Sequence, residues 1–537
     1  MCNRNSIGTL ASVAAAALVL ASTGSAALAM HRPREERPIR VEAAVETAPE
    51  VLTRGVVNEA FAEPVVCDPQ SGVIVTVQPP DPIPEVPPAE APEGNNVVWA
   101  PGYWSWSADL SDFVWVAGCW RIPPPGYSWV PGYWAQVEGG WEWTPGFWSP
   151  SDATEVEYLP APPACPDEAI PAAPSADVIW SPGCWIWRDG RYAWLPGFWV
   201  NAREDWVWVP SHYCRTPRGY VFIDGYYDCT LRDRGILFAP CYFPHGRYAG
   251  ASWTPTVAVD LSLLVHNLFC YPRYDHYCFG DYYDAQYRKV GIYPAYQALE
   301  THRWYDPLFV HADWTHRKSD PKWFDQRKEA FERRVRDANL RPARTYADLR
   351  KQEARLPAKD RKELGVVRPY KDVVADKTEP LKFTRLPQAS IESHARVAKD
   401  LNAYARERSK WELPTGKPVP TPKVIAPPIT PAPPERRVTP IPTLPPQRRI
   451  TPAPPPVTPA PTVPPEHHIA PAPPLVHVTP TPAPASPYKV KLPPSPLTVK
   501  LSVGPEHYRK PPPRPEMPKT IAAPPTPTPK ERERERP

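Results

Sequence analysis

Ten-residue runs of β-branched and aromatic residues fill the middle of this chain, and short polar breaks separate them. The clearest are VIWSPGCWIW at 178–187, RYAWLPGFWV at 191–200, WVWVPSHYC at 206–214 and YVFIDGYYDC at 220–229. Such density favours strands. Gly139-Gly140, Asp189-Gly190, Arg218-Gly219 and Arg234-Gly235 supply turns between the runs. Short strands joined by short turns predict a mainly β fold, an antiparallel meander. Strand alternation puts Trp206 and Trp208 on one face, and Trp185 and Trp187 likewise. Both faces come out aromatic, so either both are covered or one is offered to something outside.

Inside these runs a hexapeptide recurs, Trp-x-Pro-Gly-aromatic-Trp. It spans Trp99 to Trp104, Trp129 to Trp134, Trp143 to Trp148, Trp180 to Trp185 and Trp194 to Trp199. WVAGCW at 115–120 and WVPSHY at 208–213 are variants, and FIDGYY at 222–227 and FAPCYF at 238–243 are weaker echoes. A fixed period means one small unit copied and stacked, which argues for a scaffold or binding surface before an enzyme. Proline cannot donate a ladder hydrogen bond, so the Pro-Gly pair marks either a bulge in one long strand or a turn between two short ones. Those alternatives stay open in the sequence.

Outside the repeats the pattern changes. Residues 30–98 read as a linker, with Pro79 to Gly94 extended and disordered and Val73 to Val77 one isolated strand. Residues 99–150 form a first repeat block, 151–177 a Pro/Ala-rich linker and 178–260 a second block. A Tyr-rich stretch, 261–318, reads as an irregular cap. In the charged segment 319–413, Asp320-Pro321 starts one helix and Thr345 with Asp348 another. A third runs from about Gln388 to Ser409, with Ile391, Ala398, Leu401 and Ala405 on its apolar stripe. The stripes are narrow, so these helices are partly exposed. From Pro414 to the end, 42 of 124 residues are proline, which predicts a disordered polyproline tether reaching up to ~380 Å.

The hexapeptide and its spacing resemble the WXXGXW (YXWGXW) repeat family of exported bacterial proteins, over roughly residues 99–243. Ala117, Ser211 and the Phe-for-Trp exchanges of the last two units depart from the pattern. The resemblance implies a repeat fold and an envelope location, and no particular reaction.

Charge and cysteine use refine this picture. The net charge of +4 conceals a basic tail of +10 from Pro414 onward. That tail is an electrostatic handle for an anionic surface. Arg4, the apolar run from Ile7 and Ala27-Leu28-Ala29 form a signal peptide over residues 1–29, cleaved or retained as an anchor. No other stretch is long and apolar enough to span a membrane. The expected location is the periplasm or cell envelope, with a protein, wall polymer or outer surface as partner and no nucleic acid. Export permits disulfides, and Cys270 with Cys278 and Cys229 with Cys241 are the candidate pairs.

No catalytic motif stands out, so no enzyme activity and no cofactor are expected. His266, Cys270, His276 and Cys278 carry zinc-type donors, but their spacing fits no standard site, and no metal is expected. Most tryptophans read as core. Tyr103, Tyr133, Phe147 and Phe198 are the candidate exposed rings for stacking on a glycan.

Overall fold

Trp99 faces Trp120 across an antiparallel pair, and one step further along Trp104 faces Trp115. Two consecutive motifs therefore make a single hairpin, and each arm is broken at its x-Gly step. The structure is a computed structural model. It describes residues 49–413, except 95, 245–247, 249, 251, 303 and 356–363, together with 487–496 and 512–516. The signal-peptide assignment at 1–29 and most of the proline-rich tail lie outside the described residues.

Four such hairpins follow in sequence. The first pairs Val98–Ala100 with Cys119–Arg121 and Tyr103–Ser107 with Asp112–Val116. In the second, Tyr127–Val130 pairs with Phe147–Pro150 and Tyr133–Val137 with Gly140–Thr144. The third joins Val178–Ser181 to Phe198–Asn201 and Cys184–Arg188 to Arg191–Leu195. The fourth joins Trp206–Val209 to Tyr226–Cys229 and His212–Thr216 to Gly219–Ile223. The ninth motif adds a third arm to the first hairpin. Gly235–Leu237 pairs with Cys119–Arg121, and Cys241–Tyr242 with Asp112–Val116. The mainly β, antiparallel fold class read from the sequence is thus the observed one. The Asp189-Gly190 tip has φ of 52° and 74°, the conformation that two-residue hairpins favour.

The Pro-Gly step is neither the bulge nor the positive-φ turn that the sequence left open. The motif glycines do not have left-handed φ. Their lack of a side chain matters for another reason. A Cβ on Gly102 would lie 2.7 Å from the Trp115 indole, and one on Gly118 would lie 2.6 Å from Trp99. The second and third hairpins repeat this reciprocity. Gly132 meets Trp143, Gly146 meets Trp129, Gly183 meets Trp194 and Gly197 meets Trp180. The first tryptophan of each motif covers the glycine of the facing motif. In the fourth hairpin Gly225 meets Trp208. The glycine replaced there, Ser211, belongs opposite a motif that begins with the smaller Phe222.

Contacts join the first hairpin to the second and, through Arg121 and Asp228 at 2.6 Å, to the fourth; the fourth also meets the second and the third. Trp134 Nε1 donates to Trp104 O at 2.9 Å, and Tyr103 stacks on Trp143 with centroids 4.7 Å apart. Arg215 pairs with Glu142 at 2.8 Å between the fourth and second hairpins. Trp208 Nε1 donates to Ser181 Oγ at 3.0 Å, and Tyr213 Oη to Trp185 O at 2.9 Å, between the fourth and third.

The Tyr-rich stretch expected to be irregular contains an ordered hairpin, Leu268–Tyr271 with His276–Phe279, flanked by Gly55–Val56 and Tyr293–Pro294. Two helix predictions come close to the observed bounds. Helix Tyr346–Arg355 begins with Asp348 N–H donating to Thr345 Oγ1. Helix Gln388–Trp411 buries Ile391, Ala398, Leu401 and Ala405. The segment expected to start at Asp320 is helical over Trp323–Arg336. The sequence reading missed helix Pro307–Arg317, which Asp306 caps by accepting from Phe309 N.

Three expectations are corrected. First, the stretch around Pro79 to Gly94 is not disordered: Ile83, Glu85 and Ala91 are buried, and Glu90–Pro92 pairs with Phe383–Arg385. Val75, inside the expected strand, makes one bridge to Trp141. Second, the tail does not trail free along its whole length. Tyr488–Lys491 pairs with Glu155–Leu159, a strand within the second linker. Arg218 donates to Leu413 O at 3.0 Å and lies 4.1 Å from the Tyr488 ring centroid. Arg218 thus touches the described residues on both sides of the 414–486 segment, which itself lies outside the described residues. Third, Cys229, Cys241, Cys270 and Cys278 are free thiols, and the disulfide is Cys67–Cys165, between the two linkers. In the Tyr-rich hairpin Cys270 faces Tyr277 and Cys278 faces Phe269, so the two thiols project from opposite sides. Cys229 pairs with Trp206 and Cys241 with Trp115, in different sheets.

Candidate functional site: carboxylate clasps and a half-exposed indole face

Breaking each arm at x-Gly takes two backbone N–H groups and two carbonyls out of the hairpin ladder. Buried groups of this kind need partners. Acidic residues from the linkers provide them. The Glu85 carboxylate accepts from Gly102 N at 2.9 Å, Gly118 N at 3.0 Å and Trp115 Nε1 at 3.1 Å. Glu59 does the same for the second hairpin, accepting from Gly132 N at 3.2 Å, Gly146 N at 3.1 Å and Trp143 Nε1 at 3.1 Å. Glu168 accepts from Gly197 N at 2.9 Å in the third. The fourth is self-sufficient: Asp224 stands in the proline place, and Gly225 N donates to Ser211 Oγ and Asp224 Oδ1, each at 2.9 Å.

The carbonyl side of each break has its own donors. Asn58 Nδ2 donates to Ala117 O at 3.0 Å and Pro101 O at 3.3 Å in the first hairpin. Arg408 Nη1, from the long C-terminal helix, donates to Pro131 O and Pro145 O at 2.9 Å each in the second. Arg408 is fully buried and pairs with Glu412 at 2.9 Å, which also accepts from Tyr133 and Tyr158 hydroxyls. Each of these two breaks therefore lies between a carboxylate and a polar donor.

Burial dominates the electrostatics here. It pushes Glu59 and Glu85 up to about 7, against the lowering effect of their amide and indole donors. Asp275 is pushed up to about 7 for the same reason, and His276 and His212 are pushed down to about 4. His276 Nε2 lies 3.1 Å from Tyr103 Oη and 3.7 Å from Glu59. Glu59, Glu63, His212 and Asp228 line a cavity of about 20 Å³, room for about one water. Among the described residues, no group of three or more His, Cys, Asp and Glu is arranged to hold a metal ion. His276 and Cys278 share one strand of the Tyr-rich hairpin and Cys270 the other, with Cys270 donating to Asp306 at 3.4 Å.

The four candidate rings separate. Tyr133 and Phe147 are buried and flank Arg408, whose guanidinium carbon is 5.3 Å and 5.0 Å from their centroids. They do not face outward, because the C-terminal helix lies over them. Tyr103 is half-buried and occupied with His276 and Trp143. Phe198 is half-buried, as Tyr103 is, and lies among other half-buried rings. Its neighbours are the tryptophans of the third hairpin. Trp180, Trp185, Trp187, Trp194 and Trp199 are all half-buried, whereas Trp99, Trp115 and Trp120 of the first hairpin are fully buried. Trp180 packs edge-on to Trp199, and Trp185 to Trp194, with centroids 5.1 Å and 5.2 Å apart. A cleft of about 120 Å³ lies beside them, between Pro182, Phe198, Trp208 and Arg514.

The reciprocal Trp–Gly packing agrees with comparison against known families. A model described as the WXXGXW repeat (2 copies) matches residues 94–121, 125–149, 176–200 and 192–212. These segments match the WXXGXW repeat. The first two matches coincide with the first two hairpins, the third with the third hairpin, and the last runs into the first arm of the fourth. No curated protein and no solved structure matches the chain. What defines a WXXGXW unit here is physical: an indole lies on a facing glycine, and an outside carboxylate closes the break that results. Glu59, Glu85 and Glu168 lie outside the hexapeptide, so the repeat motif alone does not reveal them. Among the described residues, no helix is long and apolar enough to cross a membrane.

Proposed function

We propose that this chain is a non-catalytic scaffold of the cell envelope. Its WXXGXW hairpins form the folded body, and the proline-rich sequence beyond Leu413 is a tether for contact with other envelope components. The observation that carries this reading is where the motif residues point. Tryptophans, glycines and buried carboxylates are used on one another, in the Trp–Gly packing and in the clasps of Glu59 and Glu85. The Cys67–Cys165 disulfide supports an oxidising compartment, as does the signal-like start of the sequence. Fractionation of the source cell, with mass determination of the mature N-terminus, tests the location. Recovery of the intact chain in the cytoplasm rejects it.

A second reading is favoured by one observation, the half-exposed indoles of the third hairpin. Flat rings of this kind stack on the apolar faces of sugars. On this reading the third hairpin binds a wall glycan, and Trp187→Ala with Trp194→Ala abolishes retention on purified peptidoglycan. Equal retention of that variant and the unaltered chain rejects glycan binding through this face.

A further inference from the structure

The strand that closes the edge of the fourth hairpin's sheet comes from far along the chain. Tyr488–Lys491 lies antiparallel to Glu155–Leu159, which in turn borders Gly219–Ile223. The register matches charge to charge. Lys491 faces Glu155 and Lys489 faces Glu157, while Val490 faces the buried Val156 between them. Leu492 N donates to Thr154 O at 2.8 Å, Tyr404 Oη to Pro493 O at 3.1 Å, and Ser495 Oγ to Trp129 O at 2.7 Å. These contacts form a groove that reads an extended peptide by main-chain pairing, two acidic positions and one buried serine. That is the logic of β-strand addition.

The charged side chains of the seated segment face outward. Tyr488 is 45% exposed, and Lys489 and Lys491 are exposed. Seventy-three residues, 414–486, lie between Leu413, two positions past the long helix, and this segment. Their contour allows up to roughly 250 Å, enough to reach a neighbouring molecule. A connection this long gives the segment only a modest effective concentration at its own groove. Exchange of an identical element between two copies is the least costly route to a dimer, because every contact is retained. We propose that the Glu155–Leu159 edge is a peptide-binding site whose ligand, Tyr488 to Ser495, is delivered by a second copy of this chain. Two chains then exchange strands and close as a symmetric pair. This rests on the strand register and is independent of the scaffold and glycan readings.

The exposed charges make a direct test. One full-length variant carries Lys489→Glu and Lys491→Glu; a second carries Glu155→Lys and Glu157→Lys. In each alone, segment and groove have the same charge. All four side chains are exposed, so near-ultraviolet circular dichroism of both variants matches the unaltered chain. Light scattering after size exclusion is expected to show a dimer fraction that rises with concentration in the unaltered chain. In each variant alone that fraction falls about fivefold or more. An equimolar mixture of the two recovers it, because each now offers the other a complementary partner. A mixture that stays monomeric overturns the proposal, even if a synthetic 487–496 peptide binds the groove. Dimers of undiminished abundance in the separate variants overturn it as well.

Discussion

The indole of Trp129 occupies the space that a side chain on Gly146 would need: a Cβ there would stand 2.3 Å from Trp129 Cζ2. The facing pair Gly132 and Trp143 is nearly as close, at 2.5 Å. Gly146→Ala therefore has to move either a buried ring or the second hairpin's backbone. Overpacking of this kind costs roughly 1–3 kcal/mol. Gly126, by contrast, has nothing within 4 Å of its Cβ position but a φ of +79°, so Gly126→Ala costs about 1 kcal/mol through backbone strain alone. Urea denaturation followed by tryptophan fluorescence checks the order. Gly146→Ala is expected to have the lower midpoint, and the shift is expected to shrink but persist in a Trp129→Val background, because Val130 O still lies 2.7 Å from the new Cβ.

Glu85 satisfies three buried donors at once. Glu85→Ala strands Gly102 N, Gly118 N and the Trp115 indole, at about 1–3 kcal/mol for each orphaned group. Glu168→Ala frees only Gly197 N among its observed partners, at a half-exposed site. The first substitution is expected to lower the thermal midpoint several times more than the second. Comparable shifts from both would show that the clasp in the first hairpin contributes little.

The same carboxylate makes stability depend on pH. Burial raises Glu85 from 4.5 to about 7. The folded chain then holds a proton that the unfolded chain has released, so this contribution to stability is full below pH 4.5 and declines as pH rises through 7. Buried His212 and His276, lowered from 6.5 to about 4, act in the opposite direction over the lower part of that window. The comparison with Glu85→Gln isolates the single group. The stability of the unaltered chain relative to that variant is expected to fall steadily from pH 5 to pH 8; a pH-independent difference contradicts it.

Cys67 and Cys165 are 98 residues apart. Closing a loop of that length removes unfolded-state freedom worth about 4–5 kcal/mol in the chain-entropy model. Reduction, or Cys67→Ser, is expected to lower the midpoint accordingly. Peptide mapping under non-reducing conditions is expected to yield one cross-linked pair, 67 with 165, and unlinked peptides for Cys270 and Cys278.

Local patterns in the sequence revealed much of this architecture. The strand runs, the Asp189-Gly190 tip, the Thr345–Asp348 cap and the apolar stripe from Ile391 to Ala405 each depend on residues a few positions apart. The clasps do not. Glu59 reaches Gly146 across 87 residues and Arg408 reaches Pro131 across 277. An isolated acid in a Pro/Glu-rich stretch has the same composition whether it is solvated or buried. This is why Pro79 to Gly94 read as disordered. The same limit hid the Cys67–Cys165 pair, since neither cysteine has a nearby partner in sequence. Tyr133 and Phe147 sit in the same motif position as Tyr103 and Phe198. What covers the first two is a helix some 250 residues away, and no periodicity within the repeats reports it.

Asn58 and Glu59 are consecutive, yet they serve different hairpins. Asn58 supplies the carbonyls of the first, and Glu59 the amides of the second. Arrays of small units ordinarily open one unit at a time from an end, each with its own local free energy. A two-residue step shared by neighbours does not allow that here. Withdrawing the step uncaps both breaks together. In hydrogen exchange the amides of Gly132 and Gly146 should then open together with the strands around Pro101 and Ala117, as a single foldon.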